Sequence, residues 1–495
     1  MNNSHGLNNE ENMASGLREK TISGMLWNAM ERFGSSLFLF ISNLVLARLL
    51  SPNDFGAIAM LMVFISLSEA IVDAGFGNAL IQKQDVDQRD CSTIFVWNIC
   101  FAAILYALLF FSAPAIAGFY KISILKDVLR VQGLVVLLNS LVLVHIALLK
   151  KQLNFKKMAK ISLLAIIFGT LAGIIAAFYG AGVWSLVLKL LLTAIVQVFC
   201  YYGIKCWTPS LTFDYFRFKS MFRFGGFIFV TRMLNTIYCN ILSLIIGKCF
   251  NVATLGYYNQ ARKLEDIPRS TLASVVTNVT FSAFSQINND IPRLREAASK
   301  CMRSMSFIAV PLTFGAIVVA KPLLVVLFTT KWIQSVSYFQ VLCFGGIVMT
   351  PLELNAEILN AIGKSNIAFK IRLIQRLAGI CLIAMGIRFG MEGLLAAYVI
   401  GHYLCFVFAG VYTGKYIGYG LLMQVKDLLP FVLVSIVSAV IAFIPLRVAT
   451  SVDDFWMFLL QTLLFVTVYF GISLFLRFKE MSTYIEIIKR RIMKK

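Results

Sequence analysis

The chain has 495 residues, 59% hydrophobic and 14% charged, with a mean hydropathy of +0.81. A soluble domain is roughly 45–50% apolar and about 25% charged, so a soluble globular protein is excluded and the chain reads as an all-α integral membrane protein. Its net charge of +21 does not mark a nucleic-acid binder, because the basic residues sit at the ends of apolar segments, where membrane topology places them.

Residues 1–20 are polar and lack an apolar core followed by a small-residue cleavage site, so a cytoplasmic tail is expected there and not a signal peptide. A helical span needs roughly 20 mostly apolar residues. That rule predicts fourteen spans, at 22–47, 54–81, 92–119, 127–149, 159–178, 182–204, 221–247, 253–286, 301–320, 334–362, 371–389, 392–414, 427–447 and 454–477. The expected division is an N-lobe at 21–204, a cytoplasmic linker at 205–219, a C-lobe at 220–415, and a final unit at 416–495 with two spans and a basic tail. An even number of spans puts both termini on one side. With the termini cytoplasmic, thirty Lys and Arg fall inside and nine outside, so the basic residues place both ends in the cytoplasm.

The two lobes repeat. Residues 41–59 align with 241–259, pairing Arg48 with Lys248 and Gly56 with Gly256, and upstream Arg32 with Arg232. Lys151 and Lys157 match Lys364 and Lys370, and Gly180-Ala-Gly182 matches the turn at Gly390–Gly393. Six spans per copy keep the orientation, which predicts two six-helix lobes in parallel pseudo-repeat plus two C-terminal helices, an architecture of alternating-access transporters.

Six cations remain inside the predicted spans: Arg32, Lys189, Arg232, Arg262, Lys263 and Arg269. Charge at bilayer depth is costly and faces a protein interior or a wet cavity. On a helix, Tyr258, Arg262, Glu265, Asp266 and Arg269 share one face. Two readings stand side by side. In one, these cations line a cavity for an anionic ligand; in the other, Arg262 with Asp266 and Glu265 with Arg269 satisfy one another within the helix. Lys189 has the further option of snorkelling to the interface. The acids Glu69, Asp73, Glu265, Glu353 and Glu357 are candidates for proton or sodium coupling, since carboxylates one turn apart repel and hold a proton or cation between them. Asp73 also has the option of capping a helix end. Tyrosines and asparagines, Asn235 among them, have the hydrogen-bonding chemistry that sugar hydroxyls need, or satisfy neighbouring helices.

Ten scattered cysteines without metal-ligand spacing read as small buried hydrophobes, and three distant histidines form neither a metal cluster nor a triad. No enzyme site, cofactor or metal is expected.

The stretches Gly24-Met-Leu-Trp27-Asn28, Ala47-Arg48-Leu-Leu-Ser-Pro52-Asn-Asp54-Phe-Gly56, Asp73-Ala-Gly75-Phe-Gly-Asn-Ala79-Leu-Ile-Gln82 and Leu255-Gly256-Tyr-Tyr258-Asn259-Gln-Ala261 carry a resemblance. The chain resembles the polysaccharide-transporter branch of the multidrug/oligosaccharidyl-lipid/polysaccharide exporter superfamily, and within it the Wzx and WzxC-like flippases. The resemblance implies two six-helix lobes forming a V in the bacterial inner membrane. It implies a flippase for undecaprenyl-pyrophosphate-linked oligosaccharide of O-antigen, capsule or exopolysaccharide, with membrane lipid and polysaccharide polymerase or assembly proteins as partners. A cationic cavity would be lined by Arg32, Arg232, Arg262, Lys263, Lys189 and Arg269. The alternative in the same superfamily is a cation-coupled multidrug antiporter, which an excess of Arg and Lys disfavours. A membrane-embedded polymerase or ligase would be expected to carry a large outer loop, and the loops here are short.

Overall fold

The computed structural model describes Trp27, residues 34–448 and 452–482, Tyr484 and Glu486. Among them the regular structure is entirely helical. It begins with α1 (Gly34–Leu49), followed by α2 (Pro52–Asp73), α3 (Phe76–Gln82), α4 (Gln88–Tyr120), α5 (Ile124–Gln132), α6 (Leu134–Lys151), α7 (Phe155–Phe178) and α8 (Val183–Gly203). It continues with α9 (Tyr215–Cys249), α10 (Val252–Ser285), α11 (Ile291–Val318), α12 (Ala320–Phe328), α13 (Ser335–Ala361), α14 (Ser365–Gly386), α15 (Gly390–Ile417), α16 (Leu421–Val448) and α17 (Asp454–Phe475). Eleven helical stretches among the described residues are long and apolar enough to cross a membrane. One of them, Ser365–Ile417, is the pair α14 and α15 joined by a 3-10 turn.

Two predicted spans are interrupted. The one at 54–81 is split between α2 and α3, because Ala74 and Gly75 take left-handed backbone (φ 40° and 78°). The one at 127–149 lies within α5 and α6, which meet at Gly133. Helix α12 falls where an outer loop was expected; its nine residues, apolar but for Lys321, are far short of the roughly 20 that register as a span.

The chain divides into two compact units, 1–256 and 257–495. Helix α9, which follows the expected 205–219 linker, packs inside the first unit against α2, α3 and α4. In that unit α7 and α8 meet closely because α7 presents Gly169 and Gly173 one turn apart. A Cβ on Gly169 would lie 2.6 Å from the Lys189 carbonyl oxygen, and one on Gly173 2.8 Å from the Lys189 Cβ. Small residues at this spacing let membrane helices approach without side chains between them.

The second unit buries an aliphatic and aromatic core from α11, α13, α15, α16 and α17, with Phe307, Phe431 and Tyr469 at its centre. Several of its polar groups pair with one another. Asn355 and Gln424 exchange reciprocal amide hydrogen bonds of 2.8 Å. Asp427 accepts from Ser299 and Tyr419, and Arg303 is held by Glu480, which ties the segment after α17 to α11. Satisfying each buried polar group internally is what an apolar surrounding demands.

None of the ten cysteines is in a disulfide. Cys91, Cys343 and Cys405 are buried as expected, whereas Cys100, Cys239, Cys249 and Cys381 are exposed on apolar helices.

Candidate functional site

The motif residues have local jobs that position the charged groups. Ser51 caps α2 and accepts from the Asp54 backbone N–H, while Asp54 accepts from the Ser51 backbone N–H at 2.9 Å, a capping box with Pro52 in the first turn. Such a cap contributes about 1 kcal/mol. At the other end of α2, Asp73 uses its two oxygens separately. Its Oδ1 accepts from the Gly77 backbone N–H at 3.2 Å, capping α3, and its Oδ2 is ion-paired with Arg232 of α9. The helix-capping option foreseen for Asp73 is present, and the same carboxylate is also ion-paired with Arg232.

This pair lies on the wall of a cavity of about 630 Å³ within the first unit, formed by α2, α3, α6, α8 and α9. Its charged lining residues are Glu69, Asp73, Lys150 and Arg232. Asn139 of α6 donates to Glu69 Oε1 at 2.6 Å. Arg232 was expected as a substrate cation, and Glu69 and Asp73 as coupling acids; the structure brings all three to one cavity. Asn139 and Lys150 were not singled out from sequence. Asn139 had no charge to flag it, and Lys150 read only as part of a basic cytoplasmic turn.

The other expected cations are distributed differently. Arg32 lies outside the described residues. Lys189, on α8, donates to Ser42 Oγ of α1 at 2.7 Å, an interior contact and not a snorkelling one. Arg262, Lys263 and Arg269 are on α10 in the second unit. There Arg262 donates to the Tyr398 hydroxyl at 2.7 Å, with its guanidinium 5.3 Å from the centre of that ring, and its nearest acid is Glu265 at 4.0 Å. Arg269 is ion-paired with Glu265 at 3.3 Å and with Asp266. Of the two intrahelical pairs considered from sequence, Glu265 with Arg269 therefore forms. Asp266 goes to Arg269 and not to Arg262, because Arg262 is drawn across to α15. Lys263 is exposed on the same helix.

Glu353 and Glu357 are one turn apart on α13. Arg372 of α14 approaches Glu353 at 3.5 Å, and Glu357 is buried. Tyr398, missed in the sequence, is indistinguishable there from any helix tyrosine; only the packing of α15 shows that it receives Arg262. No group of acidic, histidine or cysteine side chains among the described residues has metal-binding geometry.

The remaining charge cluster is at the end of the first unit that holds the α3–α4 connection. Asp90 is fully buried between Lys83 at 2.5 Å and Arg217 at 3.0 Å, and Arg217 also reaches Asp87 at 2.6 Å and Asp214 at 3.3 Å. The Asp90 backbone N–H, then Arg217, hold the Asp87 carboxyl below its ordinary range. Hydrogen bonds to Asp90 and Asp87 raise the Arg217 guanidinium.

Long apolar helices with a cavity of ion-paired and amide groups between them define a multi-pass membrane protein with a polar interior. The profile of a family described as "Polysaccharide biosynthesis protein" matches residues 45–337, and the chain belongs to that family. The motif resemblance to polysaccharide transporters is borne out. Lipopolysaccharide biosynthesis protein WzxC of Escherichia coli (strain K12) is 26% identical over 381 residues, 75% of this chain and 76% of its own. Succinoglycan biosynthesis transport protein ExoT of Rhizobium meliloti (strain 1021) is 26% identical over 388 residues, 78% of each. The inward closed conformation of the lipid II flippase MurJ superimposes with a TM-score of 0.74 at 16% identity, covering 91% of this chain and 99% of that one, a likeness of fold.

Proposed function

We propose that the protein is a flippase for undecaprenyl-pyrophosphate-linked oligosaccharide repeat units. It carries them from the cytoplasmic to the periplasmic leaflet of the bacterial inner membrane by alternating access, without covalent chemistry and with both termini cytoplasmic. Fourteen spans follow if Gly34–Leu49 and Val252–Ser285 cross the membrane and Ser365–Ile417 crosses it twice. The observation that carries the reading is the charged, amide-lined cavity formed by apolar helices of the first unit, since a purely structural apolar bundle has no need of charged groups gathered on one wall. The similarity to WzxC, a lipopolysaccharide biosynthesis protein, and to ExoT, a succinoglycan biosynthesis transport protein, supports the same substrate class.

In this reading Arg232, Arg262, Lys263, Arg269, Lys189 and Arg32 are the substrate-facing cations: Arg232 acts from the cavity of the first unit, and the others supply the positive charge that a diphosphate requires. Glu69, Asp73, Glu265, Glu353 and Glu357 are the groups through which a proton or sodium gradient drives the cycle. Membrane lipid and the polysaccharide assembly proteins are the partners. The test is flux. Vesicles containing the purified protein should move labelled lipid-linked oligosaccharide between leaflets, and Arg232→Ala and Arg262→Ala should each greatly reduce that movement at normal expression. Wild-type flux in both variants and in their double would defeat the proposal.

A further inference from the structure

We infer that the cavity of the first unit holds sugar rings of the carried glycan, and that the diphosphate is bound elsewhere. This rests on the flippase reading and adds to it the part of the substrate that this cavity takes. The charge balance is the first argument. Two carboxylates, Glu69 and Asp73, face two cations, Lys150 and Arg232, and one of those cations is already ion-paired with Asp73. A doubly negative diphosphate accepts hydrogen bonds and donates none, so it needs a surplus of cationic donors, and carboxylates on the wall repel it.

The second argument is the neutral lining. Asn78, Asn139, Gln197, Asn235 and Thr236 line the same cavity, together with two serines. Amides and hydroxyls offer donors and acceptors side by side, and a sugar hydroxyl is both donor and acceptor; carboxylates also accept from hydroxyls. Size is the third. About 630 Å³ is within the roughly 300–1,000 Å³ of small-molecule sites and exceeds what a single ring fills.

The experiment measures binding to the full-length protein in lipid nanodiscs. One probe is a short-chain isoprenyl diphosphate with no sugar; the other is the same diphosphate carrying the repeat unit assembled by membranes of the producing cell. Wild-type protein should bind the glycosylated probe roughly tenfold or more tightly than the bare one. The combined variant Asn78→Ala, Gln197→Ala, Thr236→Val removes neutral groups and leaves the ion pair in place. It should abolish that advantage while keeping affinity for the bare diphosphate within about twofold. Gln197→Ala alone should cut the advantage by roughly threefold or more, which covers failure of the combined variant to fold. Equal binding of both probes by wild type, or an advantage unchanged in the variants, overturns the sugar assignment and leaves the flippase reading standing. A fall in affinity for the bare diphosphate matching that for the glycosylated one also overturns it, by making this the diphosphate site. Binding of neither probe by wild type sinks the flippase reading and this inference together.

Discussion

Gly56 of α2 and Gly256 of α10 make reciprocal contacts: a Cβ on Gly56 would lie 1.9 Å from the Val252 carbonyl oxygen, and one on Gly256 would lie 2.0 Å from the Pro52 carbonyl oxygen. These four positions are the ones that the offset of about 200 residues superimposes, 52 on 252 and 56 on 256. Under that alignment each glycine meets the backbone four residues before the other. Since the obstacle is backbone and not a movable side chain, even Ala has to force the helices apart. Gly56→Ala and Gly256→Ala should each destabilise by about 1–3 kcal/mol, and the double should cost less than the sum because both relieve one crossing. Thermal melts in detergent read this directly; wild-type melting of both singles would show that the crossing is looser than described.

The Asp73–Arg232 pair makes a second prediction. Asp73→Ala removes both a helix cap and a counter-ion, whereas Asp73→Asn keeps an oxygen for the Gly77 N–H and removes only the charge. The Asn variant should therefore melt closer to wild type than the Ala variant while losing most of the flux. Equal flux in Asp73→Asn and wild type would show that the ion pair plays no part in transport.

Tyr398→Phe isolates one hydrogen bond. The ring stays beneath the Arg262 guanidinium, and the hydroxyl that accepts from Nη1 at 2.7 Å is lost. A hydrogen bond to a charged group contributes about 1.5–3 kcal/mol, so flux should fall by roughly tenfold or more at unchanged expression. Unaltered flux would remove Tyr398 from the positioning of Arg262.

Acid should loosen the Arg217 cluster. The Asp87 carboxyl is held below its ordinary value of 3.8, so its contribution is complete above that pH and is lost as pH falls through the lower folded value. Melting midpoints between pH 7 and pH 3, the range that spans the ordinary Asp value of about 3.9, should decline at the acid end, and the decline should be shallower in Arg217→Met. The exposure of Asp87 and Arg217 keeps this effect small. Parallel curves for the two proteins would separate Arg217 from the acid sensitivity.

Much of the fold was legible because apolar length and turn chemistry are local. The apolar runs place the helices, whereas the break at Ala74 and Gly75 was not expected, since an apolar stretch such as 54–81 reads as one span whether or not its backbone turns left-handed partway. The charged groups were legible as a set but not as pairs. Asp73 and Arg232 are 159 positions apart, and Arg262 finds Tyr398 at a separation of 136, distances over which partner choice depends on the rotation of whole helices. The sequence repeat suggested equivalent roles for Arg232 and its mate Arg32. Arg232 takes an acid from the helix pair α2–α3, and Arg32 lies outside the described residues. Asn139 illustrates the other limit, because a neutral amide gives no signal until Glu69 is seen beside it.

The division of labour between the two oxygens of Asp73 has a mechanical consequence. An incoming hydroxyl or proton that lures Oδ2 away from the guanidinium leaves the Gly77 amide seated on Oδ1, so the chamber's polarity is free to change without unravelling the joint between α2 and α3. In the proposed transport cycle this would give a charge that can come and go at a junction of two helices that stays folded.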